Sequence, residues 1–279
     1  MNRTTIASAL ETKGIGLHTG APVSLRLEPS ESDITFCRPG RAAIEVGLSS
    51  VQSDTRGTTL GTTASPDDCV ATVEHLLATL SIEGIDAIKI EVDGPELPAY
   101  DGSALPFVEL LRKAERRSLP LERTPIRLTE AVEVREGDRV ARAEPAPEFG
   151  FDVRIDFDHA SIGEQRLVRR TVRAEDFAMS IAPARTFGFL AEVESLRAAG
   201  LAQGASLENT LVLDDSRLMN EGGLRFADEF VRHKALDLLG DLALLGAPLN
   251  AFVTVERGGH RLHHRLVEAI EKQIRSAAN

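Results

Sequence analysis

Apolar and polar residues alternate along Val23-Ser24-Leu25-Arg26-Leu27-Glu28, as they do in a strand with one face on a core and the other in water. Between residues 70 and 82 the rhythm changes. Val70, Val73, Leu77 and Leu80 recur at spacings of three, four and three, the stripe of an amphipathic helix. Alternation returns at Ile88, Ile90 and Val92, separated by Lys89 and Glu91. A second helix is predicted over residues 106–114, opening on Pro106, because proline suits a first helical turn. SLPLERTP at 118–125 sets two prolines among polar residues and predicts a domain boundary. Beyond it, strands are expected over 127–135, 151–157, 211–213 and 251–255, and helices over 191–199, 226–245 and 262–275. Strands followed by helices recur loosely in the two halves, without a residue-level repeat. The pattern predicts an α+β fold of two domains, residues 1–120 and 126–279.

Composition supports a folded chain. Its 279 residues suffice for two cores, and 42% hydrophobic with 27% charged residues is ordinary globular usage. A net charge of −11 argues against a nucleic-acid partner, since phosphate affinity comes from clustered Lys and Arg. Cys37 and Cys69 are too few for a disulfide framework or a thiolate cluster and read as small buried hydrophobes in a reducing compartment. The N-terminus has no signal-peptide core, and no stretch approaches the roughly 18 apolar residues of a spanning helix. A cytoplasmic monomer without a transmembrane segment is expected.

The chemistry gathers in three places. In FVRHKALDLLGD, residues 230–241, His233, Asp237 and Asp241 fall within an arc of about 80°, at about 100° per residue. They flank a stripe of Val231, Ala235, Leu238, Leu239 and Leu242. His and Asp at i and i+4 can share a cation, or equally form a salt-bridged helix edge. In TVEHLLA, residues 72–78, Glu74 precedes His75, which projects away from the apolar stripe and is free to line a cleft. A third ligand drawn from another segment leaves one tetrahedral position for water. In ERGGHRLHHRL, residues 256–266, two glycines turn the chain ahead of His260. His263 and His264 are expected on the helix that follows, at the surface or in packing, with side chains diverging too far for a shared metal. GIGLHTG, residues 14–20, forms a tight turn around His18 and lacks the G-x-G-x-x-G spacing of a nucleotide loop. ARTFGF, residues 184–189, sets Thr186 between a cation and two aromatics, and PELPAYDGSALPF, residues 95–107, predicts a turn and a helix start.

TVEHLLA, PELPAYDGSALPF, ARTFGF, DEFVRHKALDLLGD and GGHRL, in that order with GIGLHTG near the start, resemble the UDP-3-O-acyl-N-acetylglucosamine deacetylases of bacterial lipid A biosynthesis. The resemblance runs from about residue 3 to residue 272. It implies two similar domains, each a two-layer β-α-α-β sandwich, with the active site between them. It implies Zn2+ held by His75, His233 and Asp237, and hydrolysis of the 2-acetamido group of UDP-3-O-acyl-N-acetylglucosamine, the committed step of that pathway. Glu74 is then the general base, Thr186 the oxyanion donor, and His260 the imidazolium that protonates the leaving amine, oriented by Asp241. Lys234 is implied near the substrate diphosphate, with Arg257, Arg139 and His159 extending a positive patch. Phe187 and His18 are further implied contacts. An insertion over about 189–214 is implied to enclose the acyl chain, with Leu196, Leu201 and Leu211 as candidate lining. A peptidase of the H-E-x-x-H kind is disfavoured, since that motif is absent. Two stretches depart from the family pattern. Arg56-Gly57-Thr58 stands where the family has a bulky apolar residue followed by Cys, and His263 follows Leu262 where the family has Asn.

Overall fold

The computed structural model describes residues 2–63 and 65–277, and in them helices and sheets combine in an α+β architecture. One sheet orders Leu10–Ile15, Pro22–Pro29, Ile88–Asp93, Thr35–Cys37 and Ile44–Glu45. Each neighbouring pair is antiparallel except Ile88–Asp93 with Thr35–Cys37. A second sheet orders Val132–Glu136, Arg139–Pro145, Leu249–Glu256, Gly150–Phe157 and Gly163–Arg169, and Ile126–Arg127 pairs alongside Leu249–Glu256. On this path the one parallel pair is Leu249–Glu256 with Gly150–Phe157. Numbered along the chain, the five strands of each path lie in the order 1-2-5-3-4, with the parallel pair at the same place.

A parallel neighbour cannot be reached by a tight hairpin. In both sheets the chain makes a long excursion between the fourth strand and the fifth, and the helices of the site lie on these excursions. The first carries α1 (Glu74–Glu83) and is followed, after the fifth strand, by α2 (Leu105–Leu111). The second carries α3 (Ala174–Ser180), α4 (Leu190–Ala198) and α5 (Glu229–Leu242), and α6 (His260–Ala277) follows its fifth strand. α5 rests on Gly150–Phe157 and Gly163–Arg169, α6 rests on Val132–Glu136 and Arg139–Pro145, and α1 and α5 press against each other.

The stripe expected on α5 is buried as its period predicts, at Val231, Ala235, Leu238, Leu239 and Leu242. Three expectations need correction. The helix read from residue 70 starts at Glu74, and Val70 belongs to the strand Cys69–Val70. Thr72 intervenes at φ 57, a left-handed conformation that no α-helix can contain, with its hydroxyl bonded to Glu96 at 2.9 Å. α1 is moreover buried on nearly every side, Leu76, Leu77, Ala78 and Leu80 all being inaccessible. The stretch 118–125, expected as a domain boundary, is not loop throughout: it contains most of the strand Arg116–Glu122, paired with Asn2–Ile6 in a two-stranded ribbon with a register shift between Asn2 and Thr4. Pro120 is tolerated because such a ribbon leaves half its backbone donors without a strand partner. The strand expected over 127–135 is two pieces, Ile126–Arg127 and Val132–Glu136. Between them Gln273 of α6 takes over the backbone, accepting from the Thr129 amide at 3.1 Å and donating to the Glu130 carbonyl at 3.0 Å.

The crossing of α1 and α5 is set by Gly240, since a Cβ there would overlap the backbone carbonyl of Glu74. An exposed helical Gly→Ala change gains about 1 kcal/mol of propensity. Gly240→Ala is expected to do the reverse, costing about 1–3 kcal/mol from overpacking against a rigid backbone. Urea unfolding of the metal-free variant checks the sign, and a stabilised variant would contradict the close crossing.

Candidate active site

Because the two helices cross at Gly240, the first turn of α1 faces the middle of α5. Glu74 and His75 come from the former, and His233, Lys234, Asp237 and Asp241 from the latter. His75, His233 and Asp237 are all buried, and their ligand atoms lie within 4.8 Å of one another. Asp237 Oδ1 stands 3.5 Å from His233 Nε2 and 3.8 Å from His75 Nε2. Those separations are too long for hydrogen bonds. They are close to the roughly 3.3 Å that separates two ligand atoms around a tetrahedral cation with bonds of about 2.0–2.1 Å. The remaining valences are committed elsewhere. His233 Nδ1 lies 3.1 Å from the Ala184 carbonyl, and Lys234 Nζ donates to Asp237 Oδ2 at 2.8 Å. The first contact fixes the tautomer that leaves Nε2 free to ligate. Burial holds His233 neutral, with a pKa lowered to about 4. Burial disfavours charge on Asp237 too, but Lys234 and His233 keep its carboxyl well below the ordinary range. Two neutral-type donors and a carboxylate are a set that can hold a metal ion.

Glu74 is buried beside this triad, and Oε2 accepts the Thr58 amide at 2.9 Å. Burial raises its pKa against the opposing pull of His260 and His75, so the carboxylate takes up a proton more readily than an exposed glutamate.

One turn beyond Asp237, Asp241 has a different environment. Its Oδ2 is 2.8 Å from His260 Nδ1 and 2.8 Å from His263 Nδ1. Its Oδ1 accepts from the Thr58 hydroxyl at 2.6 Å and lies 3.2 Å from His264 Nε2. His263 and His264 lie on the helix and in packing as expected, but their side chains do not diverge. Both are buried and converge on one carboxylate. A sequence signal existed, since His263 precedes Val267 by four residues and Ile270 by seven, and both are inaccessible, so it shares their helical face. Burial works against charge on His260, yet Asp241, with help from Glu74 and Asp237, raises its pKa to about 10.

A cavity of about 720 Å³ opens over the triad. His18, Arg139, Thr186, Phe187, Lys234 and His260 line it together with Glu74, His75, His233 and Asp237. Lys234 Nζ sits 5.3 Å over the Phe187 ring. His18 is held by its backbone amide to the Glu96 carboxylate at 3.0 Å, and its Nε2 lies 3.3 Å from the Arg56 carbonyl. Two expected residues stand outside the wall. Arg257 pairs with both Asp138 and Asp156, and His159 Nε2 meets the Asp214 carbonyl at 2.7 Å. Their partners come from neighbouring strands and loops, so local pattern gives no sign of them. Of the leucines expected in the insertion, Leu196 lines the cavity, whereas Leu211 is in the core and Leu201 is off the wall. Leu190, Val193, Leu207, Val212 and Met219 supply further apolar lining. Sequence reasoning also misses the pair of Arg56 and Glu192, 2.9 Å apart on the same wall.

The sequence model of the UDP-3-O-acyl N-acetylglycosamine deacetylase family matches residues 3–272. A UDP-3-O-acyl-N-acetylglucosamine deacetylase of Anaeromyxobacter sp. (strain Fw109-5) is 42% identical over 272 residues, covering 96% of this chain and 88% of the relative. Its counterpart in Campylobacter concisus (strain 13826) is 42% identical over 281 residues, covering 97% of this chain and 92% of the relative.

The charge on His260 is testable without substrate. In metal-free protein at pH 8 the ring carries both protons, and Asp241→Asn removes one, because burial is then opposed only by the weaker pull of Glu74 and Asp237. Imidazole nitrogen NMR checks this. A folded-state pKa raised above the ordinary 6.5 stabilises the fold below pH 6.5 and gives up that contribution as pH climbs through about 10. The urea midpoint of the wild type should therefore fall between pH 8.5 and 10.5, and that of Asp241→Asn should fall less, over about that window.

Proposed function

The chain belongs to the UDP-3-O-acyl N-acetylglycosamine deacetylase family, and from that membership we propose that it is a zinc-dependent amidohydrolase. Its substrate is UDP-3-O-acyl-N-acetylglucosamine, hydrolysed at the 2-acetamido group to acetate and the free amine, the committed step of lipid A biosynthesis. The observation that carries this function is the buried triad His75, His233 and Asp237 at ligand spacing, flanked by Glu74 and His260 on the wall of one cavity. A zinc ion held by the triad would polarise the acetyl carbonyl and bring the pKa of a water toward about 7.

The remaining work falls to the chain's own groups. Glu74 Oε1, the carboxylate oxygen not occupied by the Thr58 amide, takes the proton of the attacking water. The Thr186 hydroxyl donates to the oxyanion as the carbonyl becomes tetrahedral. Its backbone is pinned by donation of the Thr186 amide to the Gly102 carbonyl at 2.9 Å. His260, charged and held through Nδ1, presents Nε2–H to the departing nitrogen and so releases a neutral amine. Lys234 divides its charge between Asp237 and the Phe187 face and is placed to meet the substrate's diphosphate, with Arg139 and His18 along the same wall. The apolar side of the cavity, from Leu190 to Met219, receives the acyl chain.

We further read the chain as two domains, 1–120 and 126–279, each a two-layer β-α-α-β sandwich. The common 1-2-5-3-4 strand order supports this. Among the described residues no helix is long and apolar enough to cross a membrane. Cys37 and Cys69 are unpaired thiols, which suits work in the reducing cytoplasm, as a monomer.

Acetate release from UDP-3-O-acyl-N-acetylglucosamine by zinc-loaded protein is the direct test. Chelation should abolish it and zinc restore it. Glu74→Gln should lose about 10²–10⁴-fold in kcat, and Thr186→Val about 10²–10³-fold, both with zinc still bound. Turnover of acetylated peptides in preference to the sugar nucleotide, or full activity of Glu74→Gln, would overturn the proposal.

A further inference from the structure

Asp241 is met by three imidazoles and a hydroxyl. It is inaccessible to water, and each carboxylate oxygen has two acceptor positions. His260 Nδ1 and His263 Nδ1 occupy both positions of Oδ2, each at 2.8 Å. The Thr58 hydroxyl at 2.6 Å and His264 Nε2 at 3.2 Å occupy those of Oδ1. Thr58 Oγ1 and His264 Nε2 also lie 3.0 Å apart. One set of protons meets every contact: Nδ1–H on His260 and His263, the Thr58 hydroxyl hydrogen on Oδ1, and the single Nε2–H of His264 shared between Oδ1 and the Thr58 oxygen.

Two buried imidazoles on the inner face of α6 are poor core residues, since each costs free energy unless it is bonded. Leucine would fill either place with less penalty. The backbone accommodates them: a Cβ on Gly258 would come within 2.8 Å of His263 Nε2, so glycine leaves the ring its room. A carboxylate with all four acceptor positions filled can neither rotate nor accept a proton without breaking a bond. His260, attached to it through Nδ1, is then fixed with Nε2 toward the cavity it lines.

We propose that His263, His264 and Thr58 are positioning residues of the deacetylation, which fill the remaining acceptor positions of Asp241 and thereby lock the direction of the His260 imidazole. The inference rests on the reaction proposed above. A different occupant is conceivable on composition, because Asp241, His260 and His263 have donor atoms within 4.8 Å of one another. Their 2.8 Å contacts are hydrogen bonds, shorter than the roughly 3.3 Å expected between two ligands of a tetrahedral metal.

The test compares zinc-loaded His263→Leu with His263→Asn, and Thr58→Val with Thr58→Ser, in the full chain. Asparagine and serine can still donate to Asp241, whereas leucine and valine cannot. We expect His263→Leu and Thr58→Val to lower kcat about 10- to 100-fold while KM changes less than about twofold, and the two donor-retaining variants to recover most of the loss. Zinc content should remain that of the wild type throughout. Imidazole NMR should show a slowly exchanging Nδ1–H on His260 in the wild type and in His263→Asn, and rapid exchange in His263→Leu. Wild-type kcat in both His263→Leu and Thr58→Val would overturn the proposal. So would uptake of a second zinc equivalent that extinguishes the Nδ1–H signals of His260 and His263. If the wild type itself releases no acetate, the proposed reaction fails, while the exchange of the His260 proton still decides whether the lock exists. Should His263→Leu fail to fold, the Thr58 pair carries the same comparison.

Discussion

Everything at the site depends on two backbones being allowed to touch. Gly240 of α5 lies against the carbonyl of Glu74 at the start of α1, and that contact brings side chains more than 150 residues apart in sequence to within reach of one ion. The interaction is van der Waals contact between rigid elements, which interiors resist deforming. It fixes the spacing of His75 from His233 and Asp237 before any cation adds its own attraction. The left-handed turn at Thr72, tied to Glu96, ends the preceding strand abruptly enough for α1 to begin at Glu74.

Asp237 and Asp241 show how one helix edge supports two kinds of chemistry. Both are buried carboxylates one turn apart, and both remain ionised against the penalty of burial. Asp237 has one oxygen capped by Lys234 and the other facing two imidazole nitrogens beyond hydrogen-bond range. Asp241 has every position met by a donor at hydrogen-bond length. The first is an open arrangement that a cation could complete, and the second is already complete. Distances of a few tenths of an ångström separate the two roles.

Much of this was legible in the chain. Period gave α5 its buried stripe and placed His233, Asp237 and Asp241 on one edge. Alternation located the central strands of both sheets. Periodicity could not join His75 to that edge, because their neighbourhood is created by a tertiary crossing; the ordered motifs made that link. His263 and His264 sit on the expected helix and in its packing, but their convergence on Asp241 is a tertiary contact that local pattern does not reveal. Their burial becomes tolerable once a carboxylate waits on the other side. Arg257 and His159, named through the resemblance, are held here by Asp138, Asp156 and the Asp214 carbonyl, partners that no local pattern announces. At 118–125 two prolines suggest a domain boundary, and a strand runs into it because a ribbon edge asks little of a missing amide.

The strand order shared by the two sheets has a consequence for how the chain comes off the ribosome. In the second sheet the hairpins built from residues 132–145 and 150–169 are synthesised early, yet the strand that joins them, Leu249–Glu256, emerges some eighty residues later. Until then each hairpin exposes an inner edge of unpaired amides and carbonyls, the geometry that invites pairing with a stranger. The nascent protein thus carries an aggregation hazard through the interval in which α5 is being made. The last strand to arrive removes that hazard, and the turn that follows it delivers His260.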